Sequence, residues 1–235
     1  MVKMLTLTSR EEWLEARKNY IGGSDASAIV GMNPYKTNND LWLEKTGKVT
    51  PEDISDKPYV KYGTNAEIHL RELFKLDFPQ FNVEYVENNM FINDRFPWAH
   101  ASLDGWLIET ETITAYDDDQ SFISSDTRPT GRKGILEIKT TEILQSMQKE
   151  KWNQRIPDNY YIQVLHYLMV TEFDFAVLKA QLKTVFDGVP YIQTKHYFIE
   201  RSDVEGDIEY LAKKELEFWQ YVKSGKKPPL VLPQI

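Results

Sequence analysis

The stretch Gly134-Ile135-Leu136-Glu137-Ile138-Lys139-Thr140 alternates apolar with charged or polar residues at a period of two. That period belongs to a strand, so Glu137 and Lys139 share one face while Leu136 and Ile138 share the other. A carboxylate and an ammonium then stand side by side. A half-exposed strand with a surface ion pair is the ordinary explanation of a lone Glu-x-Lys, so the pair gains meaning from what else can reach it. Upstream, Ser102-Leu103-Asp104-Gly105-Trp106 ends one strand and begins the next, and Asp-Gly between apolar residues is a two-residue hairpin signal. Its ordinary reading is a simple turn. A turn at the end of a neighbouring strand also brings Asp104 next to Glu137, so that two carboxylates converge with one lysine.

Composition limits what such a trio can do. The chain has 235 residues, 41% of them hydrophobic and 27% charged, enough for one large globular domain, and it shows no linker or internal repeat. No apolar run approaches the roughly 18 residues of a membrane span, and Met1-Val2-Lys3-Met4 opens no secretory signal, so a cytoplasmic protein is expected. With no cysteine and four histidines, thiolate zinc sites, disulfides and cysteine nucleophiles are excluded, and any metal must be held mainly by oxygen. The net charge of −8 speaks against nucleic-acid binding by the whole surface. A DNA-binding role needs its positive charge gathered in one groove.

Away from the strand, the pattern predicts a helical N-terminal part over about 9–77. Ser9 with Glu12 fits a capping box for a helix to about Lys18, and Ser24 can cap a second helix stopped by Gly31. Further helices run through Leu41–Leu43 and over about 59–76, the latter with Leu70, Leu73 and Phe74 on its apolar face. Residues 81–92, 98–103, 106–108 and 134–140 read as strands of one sheet. A helix from Asp158 or Asn159 through Met169, strands near 175–182 and 191–199 and a C-terminal helix over about 203–224 complete the chain. The fold class is α/β of the α+β kind: a central mixed sheet over about 81–200 flanked by helices in a single domain, without a regular βαβ repeat. Residues 110–133, with Asp117-Asp118-Asp119 and little periodicity, read as a mobile insertion loop.

Two carboxylates and a lysine are what phosphodiester hydrolysis by a magnesium enzyme requires. Magnesium takes oxygen ligands in near-octahedral geometry, which Asp104, Glu137 and the backbone carbonyl of Ile138 can supply together with water and a phosphate oxygen. The metal activates a water and neutralises charge, while Lys139 positions that water or stabilises developing charge.

With these residues in place, Ala101-Ser102-Leu103-Asp104-Gly105 followed by Leu136-Glu137-Ile138-Lys139-Thr140 resembles the catalytic core of the PD-(D/E)xK nuclease superfamily. More narrowly, the chain resembles the YqaJ-type viral recombinase exonucleases, relatives of phage lambda exonuclease. The most specific match is the opening Tyr20-Ile21-Gly22-Gly23-Ser24-Asp25-Ala26-Ser27-Ala28-Ile29-Val30-Gly31, followed by Asn33-Pro34-Tyr35-Lys36-Thr37. The family also has a glutamate on a helix before the sheet and a glutamine on the helix after it, matched by Glu67 and Gln163. The resemblance spans about residues 9–182. Leu103 stands where the superfamily name has proline, and the segment before Glu137 is longer than a short turn.

The resemblance implies a magnesium-dependent alkaline exonuclease, with manganese as a substitute, that digests the 5′-ended strand of linear duplex DNA and leaves a 3′ overhang. It implies as partners duplex ends, a single-strand annealing protein and further copies of the chain, in a homo-oligomer such as a trimeric ring, within a bacterial host of a phage or prophage. Glu67 would then be catalytic, as a ligand of a possible second metal, instead of merely pairing with Arg71 at i+4. Gln163 would orient a water or a metal ligand instead of being satisfied by neighbouring backbone. His166 has no role in this chemistry and is expected to be packed. Arg17, one turn after Trp13, and Ser24 at a helix N-terminus suit a terminal phosphate, and residues at the matching places in the lambda-type enzymes bind the 5′-phosphate. Lys149, Lys151 and Arg155, with Trp152 among them, are candidates for DNA-backbone contact, against the ordinary reading of solvated charges. A structure- or sequence-specific endonuclease on the same core and a non-catalytic DNA-end binding module are the alternatives. A glycosidase could use two carboxylates but has no use for Lys139.

Overall fold

A computed structural model describes residues 1–116 and 122–232. Four helices open the chain after a first strand β1 (Val2–Thr6): α1 (Arg10–Arg17), α2 (Gly23–Ile29), α3 (Asn38–Lys45) and α4 (Pro58–Asp77). Local chemistry starts each of them. Ser9 Oγ accepts the Glu12 N–H at 3.2 Å, and the Glu12 carboxylate reaches back to the Thr8 N–H at 2.9 Å. Thr37 and Asp40 form a reciprocal capping box, and Pro58 occupies the first turn of α4 where its missing N–H costs nothing. The start of α2 corrects the expectation for Ser24. Asp25 Oδ2 accepts the Gly22 N–H at 3.1 Å, so the cap is Gly22 and Ser24 lies exposed in the first turn.

The strands β2 (Phe81–Glu84), β3 (Asn89–Asn93), β4 (His100–Ala101), β5 (Gly105–Tyr116), β6 (Phe122–Ile143), β7 (Phe175–Phe186) and β8 (Val189–Glu200) do not form the single sheet expected. One sheet has the order β1-β3-β4 and the other β2-β5-β6-β7-β8. The division falls at Asn88, whose left-handed φ of 54° turns the chain off the β2 line. The buried Asn89 amide then locks the departing strand by donating to Val86 O and Leu103 O and accepting from Leu103 N. Within the larger sheet β6 and β7 run parallel and the other neighbours antiparallel. The sheet is therefore mixed, as the pattern predicts.

Residues 110–133 correct a second expectation. Their described part is an antiparallel hairpin arm, in register from Thr110 opposite Pro129 to Ala115 opposite Ser124, between register shifts at Ile108/Thr110 and Ala115/Tyr116. Residues 117–121 lie outside the described residues. Thr127–Thr130 on the return strand are exposed. Threonine and isoleucine are among the residues enriched in strands.

A short helix α5 (Ser146–Glu150), then α6 (Asp158–Thr171) and α7 (Glu205–Ser224), complete the layers. On one face of the sheet Leu136, Ile138, Phe175 and Val177 pack on Leu70 and Phe74 of α4, while Leu73 is left 49% exposed, contrary to expectation. On the other face Ile135, Ala176, Leu178 and Ala180 pack on Ile162, Leu165 and Leu168 of α6, which α7 covers through Ile208, Leu211 and Phe218. Each such large side chain contributes about 1.5–3 kcal/mol by leaving water. Strand alternation thus sends Glu137 and Lys139 toward α6, at the buried centre of the molecule.

Candidate active site

Two neighbouring strands and two helices build the site. The β5–β6 register sets Gly105 opposite Leu136, which brings Asp104 level with the Glu137 strand. Asp104 does not sit in a two-residue hairpin, because β4 pairs with β3 and β5 pairs with β2 and β6. Its carboxylate instead accepts the Ile138 N–H at 2.8 Å. Lys139 Nζ lies 2.6 Å from Glu137 Oε1, and Gln163 Nε2 on α6 donates to that same oxygen at 2.8 Å. The glutamine is therefore satisfied by the carboxylate and by the Tyr167 hydroxyl at 2.9 Å, not by backbone. Glu137 is 1% exposed, and its Oε2 is buried without a hydrogen-bond partner.

Glu67 approaches from α4. Its Oε1 is 3.0 Å from Arg71 Nη1, and the same guanidinium donates to the backbone carbonyl of Asp104. Arg71 is 6% exposed and lies 3.6 Å from the Tyr85 ring centroid. It ties two acidic segments together, a role that its i, i+4 spacing from Glu67 does not disclose because Asp104 and Tyr85 come from elsewhere in the chain.

Burial and then the charge of Asp104 push Glu67 up to about 7 and Glu137 up to about 8, and burial also raises Asp104. Burial alone would lower Lys139, but Glu137 and Asp104 outweigh it and hold the ammonium well above its ordinary range. Lys139 is thus a fixed positive charge. Tyr167, buried and facing the same negative charge, is held protonated.

Buried carboxylates that repel one another, one oxygen of them without a partner, form an environment that a cation relieves. The donor set is all oxygen, as a hard divalent cation prefers. Among the described residues no three His, Asp or Glu side chains close on a common point. The carboxylates that could face such an ion are Asp104 and Glu137, while Glu67 is paired with Arg71.

The family opening docks beside this cluster. Ile21 N–H donates to Trp98 O at 2.7 Å and His100 N–H to Ile21 O at 2.9 Å, so the Tyr20–Ser24 turn lies along the chain leading to Asp104. Trp13 Nε1 donates to Ser102 Oγ at 3.0 Å, and Arg17 Cζ stands 4.6 Å from the Trp13 ring centroid. Arg17 has no carboxylate within salt-bridge distance among the described residues, whereas Lys45 pairs with Asp25 at 2.8 Å. Lys149, Lys151 and Arg155 are exposed and share no hydrogen bond or ion pair with the carboxylates. Trp152 is 2% exposed and belongs to the core. His166 is packed, its Nδ1 2.7 Å from Glu215 Oε1 and its Nε2 2.8 Å from His100 O. Burial lowers it, but Glu215 outweighs burial and holds it above its ordinary value.

The model of the YqaJ-like viral recombinase domain matches residues 12–174. The chain belongs to that family. A curated relative, the uncharacterized protein YqaJ of Bacillus subtilis strain 168, is 31% identical over 225 residues, covering 94% of this chain and 59% of that protein. The chain thus spans about three-fifths of the length of the curated family member it matches. Among solved structures, the alkaline exonuclease LHK-Exo of Laribacter hongkongensis is similar at a TM-score of 0.58 and 15% identity, covering 91% of this chain and 95% of that one. The same enzyme in complex with dAMP gives 0.56 and 14%, with the same coverage. The family chain described here shares their nuclease fold, and no helix among its described residues is long and apolar enough to cross a membrane.

Proposed function

We propose that the protein is a divalent-metal-dependent phage-type alkaline exonuclease that digests the 5′-ended strand of linear duplex DNA. The observation that carries this reading is the convergence of Asp104, Glu137, Lys139 and Gln163 on one buried point, with ion pairing at 2.6 Å and a hydrogen bond at 2.8 Å. Asp104, Glu137 and the Ile138 carbonyl would hold magnesium or manganese. Bound there, the cation supplies Lewis-acid polarisation of the scissile phosphate and of water.

The rest of the work belongs to the chain. Lys139, charged throughout, stabilises negative charge developing on the phosphate. Gln163 fixes the Glu137 carboxylate, leaving Oε2 free for a ligand. Arg71 holds the Asp104 backbone and Glu67 in register, so that Asp104 faces the same point. Arg17, beside the Tyr20–Ser24 turn and without an ion-pair partner among the described residues, is the candidate group for a 5′-terminal phosphate, with the exposed Ser24 hydroxyl as its helper. Lys149, Lys151 and Arg155 would contact the DNA backbone farther from the reacting bond.

The family name supports a place in viral recombination. A 3′ overhang passed to a single-strand annealing protein, and a homo-oligomer such as a trimeric ring enclosing the duplex, belong to the same proposal. The similar exonuclease solved with dAMP supports a mononucleotide as the released product. The test is digestion of linear and covalently closed circular duplexes with magnesium or EDTA. Release of nucleotides from the linear DNA alone, and only with metal, is expected. Cutting of the closed circle points to an endonuclease, and end binding without cleavage points to a non-catalytic module.

A further inference from the structure

Tyr167 lies one helical turn after Gln163 on α6 and is 6% exposed. Its hydroxyl oxygen accepts a hydrogen bond from Gln163 Nε2 at 2.9 Å, while the other N–H of that amide goes to Glu137 Oε1 at 2.8 Å. The amide nitrogen thus faces both oxygens, bridging the tyrosine hydroxyl and the carboxylate. The ring of Tyr167 is fixed in turn by Gly23. A Cβ on Gly23 would fall 2.4 Å from Tyr167 Cε1 and 3.0 Å from Gln163 Cγ, closer than carbon atoms approach. A glycine at position 23 thus lets α2 and the Tyr20–Ser24 turn press on the side chains that hold Glu137.

We propose that Tyr167 is a positioning residue, which holds the Gln163 amide against Glu137 and links the metal-binding strand to the Gly22-Gly23 turn. The proposal rests on the nuclease reading above. A phenylalanine in its place keeps the ring on Gly23 and removes only the acceptor, so packing survives while the amide gains rotational freedom.

The experiment compares Tyr167→Phe with the parent in two readouts. The first, with no metal or DNA present, is the side-chain amide proton signals of Gln163 by NMR, assigned by their loss in Gln163→Ala. In the parent both protons should exchange slowly, and in Tyr167→Phe one should lose that protection. The second is kcat and KM on linear duplex with magnesium, alongside the melting temperature. Outer partners of metal-binding groups typically matter by 10- to 100-fold. An approximately 10-fold or greater fall in kcat is expected, with KM changed less than about twofold and melting shifted only slightly. Unchanged Gln163 signals overturn the proposal, and so does a parental kcat despite altered signals. A parent inactive on linear duplex overturns the nuclease reading instead, and the amide signals then still decide whether Tyr167 holds Gln163.

Discussion

Replacing Asp25 by asparagine removes the negative charge from an ion pair whose side chains are only 9% and 10% exposed. Burial raises this carboxyl, but Lys45 at 2.8 Å, with Arg17 and the Gly22 N–H, more than offsets it and holds Asp25 at about 2 against an ordinary 3.8. A depression of that size corresponds to about 2–3 kcal/mol of stability at neutral pH. The sign follows from the direction of the shift: the contribution is complete above the unfolded value near 4 and is lost as pH falls toward 2. Asparagine still accepts from the Gly22 N–H, so the helix cap is retained and the change isolates the charge. Lys45 also donates to Tyr20 O at 2.6 Å, which makes this pair the fastening of the turn that carries the family opening. Chemical denaturation of parent and Asp25→Asn should differ by about 2–3 kcal/mol at pH 7 and by about half of that at pH 3. A difference below about 0.5 kcal/mol at pH 7, or one that does not shrink with acid, would refute the reasoning.

The other predictions concern the site. Glu137→Gln should lower turnover by at least about 1,000-fold while the protein melts no lower than the parent, since burial and the charge of Asp104 already disfavour a negative charge on Glu137; calorimetry and single-turnover kinetics check both parts. Arg71→Ala should cost about 2–4 kcal/mol in denaturant unfolding and lower activity at least tenfold, because Glu67 and the Asp104 carbonyl lose a shared buried donor. Arg17→Ala should digest 5′-phosphorylated and 5′-hydroxyl duplexes at similar rates, with roughly 10- to 100-fold of end preference lost from the parent, as expected for a charge-assisted contact. Competition between the two substrates measures it directly.

What could be read in advance follows the range of the interactions involved. The face shared by Glu137 and Lys139 is a property of seven consecutive residues, and the structure places both where alternation puts them. Helix α1 likewise starts where its Ser9–Glu12 capping signal puts it, and α6 starts at the expected Asp158. Asp104 reaches the site as expected but by another route, through the Ile138 N–H instead of a hairpin turn. The separate β1-β3-β4 sheet depends on a left-handed Asn88 and on β1 returning from the start of the chain, neither of which leaves a periodic signal. The 110–133 arm carries little apolar alternation, the pattern that marks a strand with one buried face, and Thr127–Thr130 on its return strand are exposed. Arg71 and Tyr167 escaped for a related reason: each gains its role from partners in remote segments, Asp104 and Tyr85 for one, Gly23 for the other.

The central claim is that this buried cluster removes nucleotides, with a metal, from the 5′-ended strand of a duplex. The measurement that tests it most directly is digestion of a linear duplex carrying a 5′-phosphate on one strand, with each strand labelled in turn. With magnesium, mononucleotides should be released from the phosphorylated strand while its complement stays whole, and EDTA should stop the release. Full activity in EDTA, or loss of the complement from its 3′ end, would contradict the account.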